Sequence, residues 1–240
     1  MKIKSGSVRT RAKGIIVDTW QSQANLSLFL GLQVLIAFIL PVLGFGREDF
    51  NRYTAIGYSV MLISGVAIGW GRPKLFVPAA IIGGAALVLR WLLYWHPTDT
   101  LRLGSDWTTI AAVLAITVIL LTQIFREGRV TTVRIQGAIA IYLLLGAAWA
   151  HAYHIAAMLS PGSFNFPPGE HVELADWNYF SFITLTTVGY GDITPVRPIV
   201  RVLAVSEALA GQLYLAVMIA RLVAMEMVFW QAKVTTNDNA

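Results

Sequence analysis

The stretch Thr184–Pro195, TLTTVGYGDITP, places two glycines one residue apart and a single carboxylate between two long apolar segments. Non-helical backbone at membrane depth is tolerated only where it is buried in protein or lines a water-filled path, because each unpaired peptide group in lipid costs several kcal/mol. A partly polar, glycine-bearing loop between two spans therefore predicts an aqueous pathway. Everything else in the chain can be ordered around that prediction.

The setting is a membrane. Of 240 residues, 56% are hydrophobic and only 13% charged, a balance that suits a polytopic membrane protein and not an ordinary soluble domain. The absence of cysteine excludes a disulfide framework, a thiolate nucleophile and a thiolate metal site. The net charge of +5 sits in short stretches beside apolar runs, where it favours anionic headgroups and sets orientation; it is not read as a nucleic-acid surface. Six runs are long enough to span: Leu26–Leu43, Thr54–Trp70, Leu75–Trp95, Trp107–Phe125, Val133–Leu159 and Pro198–Trp230.

Alternate sides of those spans carry unequal numbers of basic residues. Twelve Lys/Arg (Lys2, Lys4, Arg9, Arg11, Lys13, Arg72, Lys74, Arg126, Arg129, Arg134, Arg221, Lys233) fall on the N-terminal side and five (Arg47, Arg52, Arg102, Arg197, Arg201) on the other. Both termini are thus expected in the cytoplasm, with the Pro/Gly-rich loop Ser160–Gly169 outside. About ten polar residues follow Trp230, so no soluble ligand-binding domain is expected there.

Ahead of the quoted loop, Asp176 is a suitable helix N-cap and Trp177–Thr186 reads as a helix of about ten residues, too short to cross. It would dip into the membrane with the partly negative end of its dipole aimed at the centre, which favours a cation. Thr187-Val188-Gly189-Tyr190-Gly191 follows, flanked by Thr184, Thr186 and Asp192. This segment resembles the signature of the potassium-channel pore family; the pentapeptide is itself the standard example of such a filter, so the assignment rests on resemblance. Glycines with positive φ between other residues allow successive carbonyls to face one axis.

The resemblance covers the last hundred residues and implies an outer helix, pore helix, filter and inner helix in that order. It implies K+ held by the carbonyls of Thr187, Val188, Gly189 and Tyr190 and the Thr187 hydroxyl, with Gly191 completing the filter and no other cofactor. It further implies a homotetramer, because one pore unit per chain needs four chains to close the filter. Asp192 is expected either to bond behind the filter or to present charge to entering cations, with Tyr179 as its aromatic partner. The pore-helix glutamate of some family members is Ile183 here, so that acid pair is absent.

Other polar positions carry their own expectations. Glu207 is the only carboxylate well inside a span and is expected in a hydrogen-bonded link behind the filter, against a water-facing or protonated residue without special role. Gly211, mid-way along the last span, is expected as a gating hinge, with close helix packing as the alternative. Arg90 is expected to snorkel to an interface, with pairing inside a helix bundle as the alternative. His151 and His154, at i and i+3, are a pH- or metal-sensing candidate without a third ligand in view.

The layout is that of six-span channels, yet Trp107–Phe125 holds no Lys or Arg where a voltage sensor needs several. The expected organisation is a basic cytoplasmic arm (1–25), a voltage-sensor-like four-helix bundle without its arginine ladder (26–130), an ion-channel pore domain (131–230) and a short tail (231–240). The expected fold is an all-α multi-pass membrane protein of the plasma membrane, or the inner membrane of a bacterium. Its expected activity is passive, potassium-selective conduction without steep voltage gating. A weakly selective monovalent cation channel is the second reading and a cation transporter subunit the third; an enzyme is excluded by the lack of a carboxylate pair, HExxH or Ser/His constellation in the spans.

Overall fold

The computed structural model of the chain describes residues 23–43, 47–70, 72–125, 130–167 and 172–238. The basic N-terminal arm, Arg126, Arg129 and the end of the Ser160–Gly169 loop lie outside the described residues.

The protein is an all-α membrane protein. Among the described residues five helices are long and apolar enough to cross a bilayer: α1 (Gln23–Leu43), α3 (Pro73–Trp95), α4 (Asp99–Ile124), α5 (Thr132–Leu159) and α7, whose spanning part is Pro198–Gln231 within Pro198–Asp238. The helix α2 (Arg47–Ala67) has 21 residues but carries Arg47, Glu48, Asp49 and Arg52 in its first two turns, and so falls below that apolarity. The short α6 (Leu174–Leu185) precedes the filter stretch.

Local sequence explains several features of these helices. In α1 the regular pattern widens to a π turn over Leu35–Ile39 and tightens to a 3₁₀ turn over Leu40–Leu43. Pro41, which lacks an N–H and crowds the carbonyl four residues back, accounts for both. The fourth helix begins at Asp99, capped by the Thr98 hydroxyl accepting from Leu101 N–H at 3.4 Å, eight residues before the apolar run that announces it. At 41 residues α7 extends about 60 Å, twice the hydrocarbon thickness, and runs past Trp230 to Asp238.

Two cores hold the helices together. Leu26 and Phe29 of α1, Met61 and Leu62 of α2, Ile116 and Leu120 of α4, and Ile141 and Leu144 of α5 form the larger one. The smaller is aromatic and lies around α6: Tyr153 meets Phe180 with centroids 4.8 Å apart, and Phe164 meets Trp177 at 4.9 Å, both edge-on. A two-residue antiparallel pair, β1 (Phe164–Asn165) with β2 (Thr194–Pro195), ties the segment before α6 to the segment after the filter stretch. Ser163 and Val196 add one more backbone bond of 2.8 Å beside it.

Candidate functional site: the re-entrant helix and filter stretch

The helix α6 starts earlier than its sequence suggests. Glu173, not Asp176, is the N-cap of α6; Asp176 occupies the third helical position and accepts the Glu173 backbone N–H at 2.7 Å, while the Glu173 carboxylate takes the N–H of Asp176. This reciprocal capping box satisfies two otherwise orphaned donors, which a single cap at Asp176 could not do. The helix ends where Thr184 and Thr186 turn their hydroxyls back onto Phe180 and Phe182 carbonyls at 2.7 and 2.6 Å.

Beyond it the backbone alternates. Thr187, Gly189 and Gly191 have φ of 60°, 52° and 81°, while Val188 and Tyr190 between them do not enter the left-handed region. Two of the three are glycines, for which this costs little. Thr187 is the exception, the one described non-glycine residue at positive φ, and an L-residue pays about 1–2 kcal/mol to sit there. Backbone bonds hold the turn: Val188 N–H and Gly189 N–H both reach the Ile183 carbonyl, at 2.8 and 3.1 Å, and Thr187 N–H reaches Thr184. A Cβ at Gly189 or Gly191 would meet nothing within 4 Å, so backbone conformation and not crowding demands glycine. In the single chain Val188 and Tyr190 are exposed.

The end of α6 is seated on α7. A Cβ on Gly211 would run into the Leu185 carbonyl oxygen, so this glycine permits helix and re-entrant segment to touch. The adjoining Gln212 then brings its Nε2 to 3.4 Å from the Thr187 hydroxyl. The helix is unbroken at this point. A second small residue works the same way on the other flank: a Cβ on Gly146 of α5 would lie 2.6 Å from the ring of Phe182.

Polar side chains complete the seat. Glu207, fully buried on α7, accepts from Tyr153 of α5 at 2.5 Å and contacts the Ser181 hydroxyl of α6 at 2.5 Å. One carboxyl thus joins α5, α6 and α7. At its far end Tyr179 donates to Asp192 at 2.6 Å. That hydroxyl holds the Asp192 carboxyl below the usual carboxylate range, and the carboxylate in turn pushes the Tyr179 phenol up to about 12.

The remaining sequence candidates meet elsewhere. Arg90 does not reach for an interface; it turns inward, its guanidinium 4.1 Å over the Tyr58 ring of α2. His151 and His154 share one carboxylate, Asp106 of α4, each through Nδ1 at 2.7 Å. Asp106 escaped notice because it directly precedes the apolar run at Trp107, where it reads as a residue outside the span. Among the described residues no group of His, Cys, Asp and Glu is arranged to hold a metal ion.

Comparison with known proteins places this geometry. Residues 137–227, from α5 into α7, match the protein family described as "Ion channel". Over 71 residues the chain is 37% identical to "Two pore potassium channel c" of Oryza sativa subsp. japonica, covering 30% of this chain and 15% of that protein. It is 36% identical over 81 residues to "Inward rectifier potassium channel Kirbac3.1" of Paramagnetospirillum magnetotacticum, covering 32% of this chain and 24% of the relative. With "Protein LctB" of Geobacillus stearothermophilus it shares 37% over 87 residues, covering 36% of this chain and 60% of the relative. The chain thus spans between 15% and 60% of the length of these relatives. No solved structure matches. The stretch 137–227 thus matches the family described as "Ion channel" and overlaps the part of the chain that is similar to two proteins named as potassium channels.

Proposed function

We propose that this protein conducts K+ passively and selectively through a filter made of Thr187–Gly191 from four copies of the chain. The observation that carries the reading is the alternation of left-handed φ at Thr187, Gly189 and Gly191, which turns successive carbonyls toward one side. A dehydrated cation needs oxygen ligands, and four such strands supply cages of carbonyls with the Thr187 hydroxyl at the innermost one. The similarity to two proteins named as potassium channels supports K+ as the permeant ion.

In this reading α5, α6 and α7 form the pore unit, the helices before them a sensor-like scaffold without the arginine ladder, and the chain crosses six times with both termini in the cytoplasm. Tyr179 and Asp192 hold the outer mouth, Glu207 braces the filter from behind, and Thr184 and Thr186 close the end of the pore helix. Gly211 serves as a seat for the Leu185 carbonyl, the contact that argues against free hinging at this position.

Liposomes containing only the purified chain test the proposal. A K+ gradient should drive flux that a Na+ gradient does not, and Gly189→Ala should abolish it. Equal fluxes of the two ions would replace this reading with a weakly selective cation channel, and unchanged flux in the variant would remove the filter assignment.

A further inference from the structure

The contacts around Glu207 contain one more proton than the hydroxyls can supply. Five oxygens form a chain: Tyr153 OH lies 2.5 Å from one Glu207 carboxyl oxygen, the other carboxyl oxygen lies 2.5 Å from Ser181 Oγ, and Ser181 Oγ lies 2.8 Å from the Gly146 carbonyl. Three oxygen–oxygen contacts at hydrogen-bond distance need three protons between them. Tyr153 brings one and Ser181 one; Gly146 O brings none.

From this count we infer that Glu207 is held as the neutral acid, and that its proton is the link that binds the pore helix to α7. Glu207 Oε1–H donates to Ser181 Oγ, Ser181 donates to the Gly146 carbonyl, and Tyr153 donates to Oε2, so every polar atom in the chain of contacts is satisfied. The surroundings agree. Glu207, Tyr153 and Ser181 are all fully buried. The titratable groups facing Glu207 are Tyr153 and Tyr142 of α5; α6 offers Ser181, which does not titrate. Among the described residues no cation pairs with Glu207, and a buried carboxylate without a cation is costly.

Loss of that proton to alkaline water breaks the Oε1–H bond. The Ser181 hydroxyl must then choose between a carboxylate and the Gly146 carbonyl, and one of the three contacts fails. Since Ser181 sits one turn before Leu185, whose carbonyl rests on Gly211, the failure loosens the seat of the filter. Glu207 is therefore a positioning residue with a built-in sensitivity to high pH. Its action on conduction rests on the pore reading above; the proton itself does not.

Infrared spectroscopy of the full chain in lipid, with glutamate carbon-13 labelled, reads the proton directly. At pH 7 a labelled, protonated carboxylic acid band should be present, and it should vanish in Glu207→Gln. A spectrum with no such band, or the same band in the variant, would overturn the inference whether or not the protein conducts.

Flux supplies the second arm. Glutamine reproduces the neutral acid, its amide donating to Ser181 and its carbonyl accepting from Tyr153. Between pH 7 and pH 10 the parent's K+ flux should fall at least about fivefold, whereas Glu207→Gln should change less than about twofold. Glu207→Ala, which leaves the Tyr153 hydroxyl without its acceptor and unties Ser181 from α7, should lose K+ over Na+ selectivity at pH 7. Identical alkaline profiles in the parent and Glu207→Gln would overturn the switch. A parent without K+ flux would instead overturn the pore reading and leave the infrared result standing.

Discussion

The seam between α4 and α5 and the face of α7 treat burial in opposite ways. In the most apolar stretch of α4, 44% of residues are buried within the chain, and in α5 39%; in α7 the share is 6%. At the seam Asp106 finds two histidines inside one chain, and beside it Gln33 Nε2 of α1 donates to the Ala140 carbonyl of α5 at 3.2 Å. On α7 Val202, Val205, Leu209 and Leu213 are all exposed in the single chain, alongside the exposed filter residues Val188 and Tyr190. The first region finds most of its partners within the chain, although Gln33 Oε1 and His151 Nε2 are buried without one. The other leaves an apolar face and the Val188 and Tyr190 side chains exposed, which fits contact with further copies.

Four substitutions sharpen that contrast, because each should divide differently between conduction and the fold. Gly189→Ala should have the largest effect. An L-residue at φ 52° costs about 1–2 kcal/mol in each copy, so four copies would lower the conducting state about a thousandfold or more. The melting temperature of the chain should fall by only a few degrees, since the added Cβ meets nothing within 4 Å and the cost is that backbone strain alone. Comparable losses in melting temperature and flux would place Gly189 in the packed region instead.

Gly211→Ala comes second and should do both. The added methyl collides with the Leu185 carbonyl, an overpacking of about 1–3 kcal/mol, and should lower K+ flux together with thermal stability. A flexible hinge would predict altered gating without a stability loss, so a melting curve decides between the two roles.

Asp106→Asn belongs to the seam. Its hydrogen bonds to imidazole, one buried and one partly buried, lose the carboxylate charge in the amide and force one histidine to change tautomer, a loss of roughly 1–3 kcal/mol that should appear as a lower melting temperature. Selectivity for K+ over Na+ should stay unchanged, and a loss of selectivity would show that the two regions are not separable.

The smallest effect is expected for Tyr179→Phe at the exposed mouth. Tyr179 depresses the Asp192 carboxyl, so in the parent the ionised form persists as pH falls, below the usual carboxylate range. Without the hydroxyl Asp192 takes its proton at higher pH, and any acid-induced fall in flux should move upward in pH; an unmoved acid limb would detach this pair from conduction.

The same contrast explains what the sequence made legible. The filter stretch is contiguous, so its glycines, threonines and carboxylate can be read without knowing the fold, and the order of helices around it follows from apolar runs. The positive φ of Thr187 could not be anticipated, since threonine resists that conformation and only the surrounding bonds to Ile183 and Thr184 impose it. Asp106 was invisible for a related reason: a charged residue satisfied by two histidines about 45 positions away looks, to any apolarity pattern, like the end of a span. The helix start at Glu173 likewise depended on a mutual cap and not on one favourable residue.

Reversal potential in a planar bilayer containing only the purified chain, with K+ on one side and Na+ on the other, tests the central claim most directly. The account predicts a potential displaced strongly in the direction set by K+ permeation, and its collapse in Gly189→Ala. A potential near zero in the parent, with measurable current, would contradict a potassium-selective filter at Thr187–Gly191.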